Sequence, residues 1–217
     1  MTTIQTSEIQ YTSLNLSLCE GVATLFDICF PLMPPEERYS PEDLMFMLSF
    51  FAEGTIVAVD GDRVVGAGTG VFLNLDFDNL PPTEADLLHQ GYRTSLALGG
   101  DYYYGTDMAV HPDYRGYGIA RQIYIRRKAV VQRYNKKGFA AAAVLPGFAK
   151  YKHEMGIETY MERVLAGEYF DPTLSVQMRN GFKFMGLVHN FFTFPLSDNW
   201  GAMILWENPD YQPEKEG

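Results

Sequence analysis

Apolar positions along the chain switch between a period near two and a period near 3.6, and the switches mark its elements. Residues 9–14 alternate well enough for a first strand. Leu18, Val22, Leu25, Ile28 and Cys29 then recur at helical spacing over 18–30, and the pattern stops before Pro31 and Pro34-Pro35. Ser40-Pro41-Glu42-Asp43 offers an N-cap, a proline for the first helical position and two acids for the first turn, so it predicts a second helix, ending at Gly54. Stretches 55–59 and 63–75 flank Gly61 as a β-hairpin. Residues 77–100 break the rhythm: Asn79-Leu80-Pro81-Pro82-Thr83-Glu84 reads as a loop entering a short helix, and Gly99-Gly100 returns the chain to regularity. An excursion of that length between strands is more often functional or partner-contacting than idle.

The next segment, 102–110, is apolar enough for a central strand and ends at His111-Pro112. A helix over about 117–135 follows, with Ile119, Ile123, Val130 and Tyr134 on one face, and Gly138 ends it. Residues 139–145 form a small-residue buried strand closed by Pro146-Gly147. Helices at 157–166 and from Asp171-Pro172-Thr173 to Asn180-Gly181, then strands at 182–192 and 202–206, complete the chain. Helices interleaved with strands predict a mixed α/β sheet protein. With no repeat or low-complexity tract, residues 1–217 read as one domain carrying an insertion at about 77–100.

Composition narrows the classes. At 47% hydrophobic and 20% charged residues the chain carries enough apolar surface to offset its conformational entropy, which excludes a disordered protein. No apolar run reaches the roughly 20 residues of a membrane span, and the first residues lack basic and apolar signal regions, so the expectation is a cytoplasmic protein. Cys19 and Cys29 are too few for a disulfide scaffold; ten apart on an apolar helix, they read as core. His89, His111, His153 and His189 show neither triad nor metal spacing. The net charge of -10 repels nucleic acid and anionic membrane. It is unevenly distributed: ten Lys and Arg and no acid lie between Tyr114 and His153. Cations concentrated around a Gly-containing turn and the helix behind it suit a multiply anionic small molecule.

That turn is the informative segment. Asp107-Met108-Ala109-Val110-His111-Pro112-Asp113-Tyr114-Arg115-Gly116-Tyr117-Gly118-Ile119-Ala120 takes a strand through a proline-terminated turn into a basic helix, whose first amides have no intrahelical partners and suit phosphate oxygens. A dinucleotide fingerprint would need a third small residue where Arg121 stands, and the Gly-Lys-Ser/Thr of a P-loop occurs nowhere. Arg115-Gly116-Tyr117-Gly118-Ile119-Ala120 instead resembles the Arg/Gln-x-x-Gly-x-Gly/Ala signature of the GNAT superfamily of acetyl-CoA-dependent N-acetyltransferases, and the resemblance runs from about residue 55 to 192. Leu145-Pro146-Gly147-Phe148, the helix ending in Gly181-Phe182 and Trp206-Glu207-Asn208-Pro209 are similar to a bacterial subgroup found beside nitrilase-like amidohydrolase domains.

The resemblance implies a mostly antiparallel central sheet with helices on both faces, acetyl-CoA as cosubstrate, no metal, and direct acetyl transfer to a primary amine. It implies that backbone groups of Met108 and Val110 pair with the pantetheine arm, that amides of Arg115, Gly116, Tyr117, Gly118, Ile119 and Ala120 hold the pyrophosphate, and that Arg121 or Arg126 neutralises phosphates. Tyr104 stands where some members carry a basic glutamate; Asp107 is the better titratable candidate, but strand alternation sets it on the face opposite Tyr104 and Val110. Gln177 occupies the place of the family's proton-donating tyrosine, and Phe170-Asp171 that of an asparagine at the start of the same helix. Tyr151, Tyr160 or Tyr169 are candidates to stand in, unless the thiolate leaves unaided. The acceptor is expected to be a small-molecule or protein amine, with a cationic one favoured by the acidic remainder of the chain; neither nucleic acid nor membrane is an expected partner, and a homodimer is left open. Two alternatives stay beside this reading: an acyl-CoA-binding sensing module without turnover, and an acyltransferase for a longer acyl group with 77–100 shaping its pocket.

Overall fold

A computed structural model describes residues 8–31, 33–34, 38–95 and 98–213. Seven strands, β1 (Gln10–Ser13), β2 (Ile56–Asp60), β3 (Arg63–Leu73), β4 (Tyr102–Val110), β5 (Gly138–Val144), β6 (Lys183–His189) and β7 (Trp200–Glu207), form one sheet in the order β1-β2-β3-β4-β5-β7-β6. Every neighbouring pair is antiparallel except β4 and β5. The helices are α1 (Cys19–Cys29), α2 (Pro41–Phe51), α3 (Glu84–Ser95), α4 (Ile119–Arg133), α5 (Ile157–Leu165) and α6 (Leu174–Arg179). Apolar residues of α4, α5 and α6 join one core with Tyr103 and Phe139, while α1 and α2 cover Val57, Ala67 and Ala109 on the opposite face. Helices therefore flank a mostly antiparallel sheet on both sides, as expected. Ser40 opens α2 with the predicted cap: its hydroxyl accepts from Asp43 N (3.1 Å) and the Asp43 carboxylate from Ser40 N (2.9 Å). The excursion at 77–100 contains α3, a twelve-residue helix. The last long strand expected, 182–192, stops at His189, because Asn190 adopts a left-handed φ of 57° and turns the chain out of the sheet. Among the described residues no helix is long and apolar enough to cross a membrane.

Two irregularities in the sheet position the site. The β4–β5 ladder runs only from Tyr102↔Gly138 to Gly105↔Ala141, yet β4 stays paired to β3 as far as Val110 and β5 to β7 as far as Val144. The two parallel strands thus splay into a V. At the same level β3 supplies one residue, Thr69, between Gly68↔Met108 and Gly70↔Gly105, where β4 supplies two, Thr106 and Asp107. This is a β-bulge, and an extra residue reverses the in-and-out alternation beyond it. Tyr103 accordingly packs on the α4 side, whereas Ala109, six residues on, packs with α1 and α2.

Arg127 of α4 lies beneath the bulge, 2% exposed. Its Nε donates to the Tyr103 hydroxyl (2.9 Å) and its Nη2 to the Thr69 carbonyl, with the guanidinium 4.5 Å from the Phe139 ring centroid. Only glycine leaves room for it: a Cβ on Gly105 would overlap Nη2 and approach Phe139 Cε2 to 2.6 Å, and one on Gly68 would come within 2.8 Å of Ile123 Cγ2. We predict that Gly105→Ala lowers the unfolding free energy by about 1–3 kcal/mol, the usual cost of overpacking, read as a lower urea midpoint at unchanged slope.

Candidate active site at the splay of β4 and β5

After β4 the chain makes a short 3-10 turn (Pro112–Tyr114) and enters α4 through Gly116 (φ 87°) and Gly118 (φ 79°), the N-cap. Both glycines sit in the left-handed region with open space around them. The first bond of the helix runs from Gln122 N to Gly118 O, and among the described residues the amides from Gly116 to Arg121 have no intrachain acceptor, whereas the Arg115 amide, expected among the open donors, closes the 3-10 turn by donating to the Pro112 carbonyl (3.3 Å). Six unpaired donors at a helix start form an anion cradle. His111 braces the turn: its Nδ1 accepts from Asp113 N (3.3 Å) and its Nε2 meets Arg63 Nη2 at 2.7 Å. This buried histidine is structural, in keeping with the absence of catalytic spacing.

The edge of β4 facing the V is available for pairing. His111 N reaches Val65 O at 2.9 Å, so antiparallel alternation turns the N–H and C=O of Met108 and Val110 away from β3, toward the space β5 has left. The Val110 carbonyl there already accepts from Arg115 Nε (3.3 Å) and lies 3.5 Å from Cys29 Sγ. Arg121 remains exposed at the turn. Arg126, the other phosphate candidate, is tied to its own helix, with Nη1 2.7 Å from Gln122 Oε1 and its guanidinium 4.0 Å from the Tyr11 ring centroid. Much of the cationic stretch proves structural in the same way: Lys128 donates to the Asn180 carbonyl, Arg133 pairs with Glu53, Lys137 with Asp101 (2.6 Å) and Lys152 with Asp198 (2.7 Å). The charge concentration overstated the number of cations at the turn.

A cavity of about 880 Å³ passes through the V from one face of the sheet to the other. On the α4 side it is lined by Tyr124, Arg127 and Gln177; on the other by Glu84, Asp107 and a set of apolar residues. Glu84 is the first residue of α3, anchored by its amide to the Phe191 carbonyl (2.8 Å). Its Oε1 accepts from the Tyr104 hydroxyl at 2.5 Å. Burial pushes the Glu84 carboxyl up to about 7, against the pull of the Tyr104 hydrogen bond and with a further push from the Asp107 charge. Asp107 is raised to about 6, again by burial, opposed by a hydrogen bond from Tyr39 and by the Arg127 guanidinium. Burial and the Glu84 charge keep Tyr104 protonated far above its ordinary range, so it is a donor here and not a base.

The expectation that Asp107 and Tyr104 point to opposite faces is overturned. The bulge at Thr106–Asp107 brings the Asp107 carboxyl to the face of Tyr104, and it turns Val110 to the other, where it packs with the α4 core. Glu84 was not singled out from the sequence: its signal is a Thr83-x-x-Asp86 cap preceding an acid at a helix start, which ordinarily marks a solvated first turn. Tyr124 was missed as well, having the spacing of an ordinary core residue on α4. The tyrosines proposed as stand-ins do not reach the cavity: Tyr160 donates to Asp171 (2.8 Å), and Tyr151 stacks on Tyr169 at 4.3 Å. Gln177 is 8% exposed and its amide donates to the Tyr124 hydroxyl, while its Oε1 is a buried acceptor without a partner. The cavity holds Met108 of the free β4 edge and the orphaned Gln177 acceptor, and the open amides stand on the turn that follows β4; together they fit a long ligand with phosphates at one end and amide groups in its arm. Among the described residues no group of His, Cys, Asp and Glu could hold a metal ion.

Comparison with known proteins agrees with this geometry. The Acetyltransferase (GNAT) family matches residues 20–126. The chain is 31% identical over 188 residues to the probable hydrolase YhcX of Bacillus subtilis (strain 168), covering 86% of this chain but 36% of that protein, so it spans about a third of that relative. It is 27% identical over 194 residues to the uncharacterized N-acetyltransferase YkwB of the same organism, covering 89% of this chain and 86% of YkwB. Among solved structures, the GphF GNAT-like decarboxylase in complex with isobutyryl-CoA shares the fold, with a TM-score of 0.77 at 15% identity over 92% of this chain and 99% of that one. The fold of the chain is thus that of GNAT-like proteins, and its residues 20–126 match the Acetyltransferase (GNAT) family.

Proposed function

We propose that the protein transfers an acetyl group from acetyl-CoA to a primary amine by direct attack, with Glu84 as the general base. The observation that carries this reading is the buried Glu84 carboxyl, held by Tyr104 and facing the open edge of β4 inside the cavity. An alkyl ammonium with a pKa of about 10.4 is not a nucleophile near neutral pH, and a base titrating near 7 is matched to deprotonating it. In the step itself the ammonium first gives one proton to Glu84, which passes it to solvent; the neutral amine nitrogen then bonds to the thioester carbon, its second proton passes to Glu84, and the C–S bond breaks. The thiolate of CoA leaves beside Tyr124, the hydroxyl on the α4 side of the cavity, which takes the place of the tyrosine missing at Gln177. The amides from Gly116 to Arg121 hold the pyrophosphate, and the outward groups of Met108 and Val110 pair with the pantetheine arm. The sensing-module alternative drew on Tyr104 and Gln177; Glu84 supplies the titratable group that Tyr104 lacks, which favours turnover.

Three variants test these assignments. Glu84→Gln is expected to lower kcat/KM by about 100-fold or more with an amine acceptor, and to remove a limb of the pH–rate profile that rises through about 7, measured by thiol release. The same substitution acts on stability with the opposite sign. Folding raises the Glu84 carboxyl from its ordinary 4.5 to about 7, so its contribution is complete below pH 4.5 and is lost as pH rises through about 7. Unfolding free energies from urea titrations should therefore fall between pH 5 and pH 8 in the native protein, and by on the order of a few kcal/mol less in Glu84→Gln. Tyr124→Phe should leave CoA affinity nearly unchanged and cut kcat by roughly tenfold or more. Gly118→Glu places a carboxylate in the phosphate cradle: calorimetry should show CoA affinity weakened by at least about tenfold, at a stability cost near 1 kcal/mol for a left-handed non-glycine residue.

A further inference from the structure

The cavity beyond Glu84 and Asp107, on the side away from α4, is walled by Phe30, Met33, Phe46, Leu88, Phe191 and Phe194. Two other ionic groups reach this side, and both are engaged. Arg38 Nε donates to the Met33 carbonyl (2.8 Å) with Nη1 3.5 Å from Asp27, and Asp43 is the carboxylate of the α2 capping box. Apart from the solvent-exposed capping carboxylate of Asp43, the acceptor side therefore offers one enclosed anionic spot, where Glu84 and Asp107 both line the cavity within an aromatic and aliphatic wall. A single ammonium is matched there. A second ammonium one chain length away would lie against phenylalanine and methionine without a counter-charge, and burying an unpaired cation is strongly unfavourable.

We propose that the acceptor is a monoamine carried on a compact apolar body, an arylalkyl or alkyl amine, with its ammonium between Glu84 and Asp107 and its body against Phe46, Leu88 and Phe191. This rests on the amine-acylation reading given above and specifies its substrate class. A peptide amine fits less well, since most polar side chains of this wall other than Thr193 are already bonded to one another. Thr106 is bonded to Thr69 (2.6 Å) and to Tyr39 (3.1 Å), Thr83 caps α3 through Asp86, and Asn190 contacts Asn199 (3.3 Å).

The test is a comparison of kcat/KM at pH 8 with acetyl-CoA and 2-phenylethylamine, n-hexylamine, ethylamine, spermidine, or a tetrapeptide with a free N-terminus. The expected order places 2-phenylethylamine and hexylamine about tenfold to 100-fold above ethylamine, with spermidine and the peptide at or below it. Phe46 is half exposed and packs edge-on against Phe50, with ring centroids 5.2 Å apart, so the urea midpoint of the variant is measured beside its kinetics. Phe46→Asp should lower the hexylamine-to-spermidine ratio by about tenfold or more, by replacing an apolar contact with a site for a second ammonium. Spermidine or the peptide outrunning the apolar amines, or a ratio unmoved by Phe46→Asp, would overturn the substrate class while leaving amine acylation standing. Acetyl-CoA binding with no thiol release on any of the five amines would overturn both.

Discussion

The buried guanidinium of Arg127 is the tie on which the site depends. It joins α4, the helix whose first turn forms the anion cradle, to β3 and β4 at the level where the sheet opens, through Thr69 and Tyr103. A cation so deep must be surrounded by acceptors and π-faces to be tolerated, and the carbonyl, the tyrosine hydroxyl and the Phe139 ring supply them. The requirement propagates into the sequence: Gly105 is a glycine because the arginine occupies the space its side chain would take, and at Gly68 Ile123 and the arginine together leave no room for one. The bulge beside it releases Thr106 and Asp107 from regular pairing and leaves the outer edge of β4 without a neighbour. Cradle, cavity and carboxyl thus share one fastening.

Around that fastening the two faces of the sheet divide the chemistry. The α4 side offers backbone donors, Tyr124 and the orphaned oxygen of Gln177; the opposite side offers two carboxyls in an apolar enclosure. The V between β4 and β5 puts Tyr124 and Gln177 on one cavity with the two carboxyls. Their elevated proton affinities have a common cause, removal from water, and each charge raises the cost of the other. A site that keeps a proton near neutrality by exclusion of water needs a roof, and α3 with the chain after β6 provides it.

Much of this was legible in the sequence, and the losses have identifiable causes. The Gly116–Gly118 turn was recognisable because glycine at a left-handed helix entrance is a local requirement. The α2 cap and the order of strands were legible for the same reason, since they follow from short-range periodicity and capping chemistry. The face of Asp107 was misjudged because a bulge is a mismatch between two strands, set by Thr69 on a partner some 38 residues away, and nothing local to 102–110 announces it. Glu84 escaped notice because its partner Tyr104 lies 20 residues further on and its helix sits in an excursion without family pattern. The basic stretch was read too generously for a similar reason: whether a lysine meets solvent, a ring or an aspartate is decided by tertiary neighbours.

The bond from the Glu84 amide to the Phe191 carbonyl fastens α3 to the segment that leaves β6. The Glu84 carboxyl and the aromatic wall at Phe191 are consequently pinned to one another. Under the proposed acetyl transfer, a roof that lifted to admit a new molecule would carry the base with it, and the thioester would meet bulk water without that base. Protection of an activated donor against idle hydrolysis would then follow from how the roof is pinned.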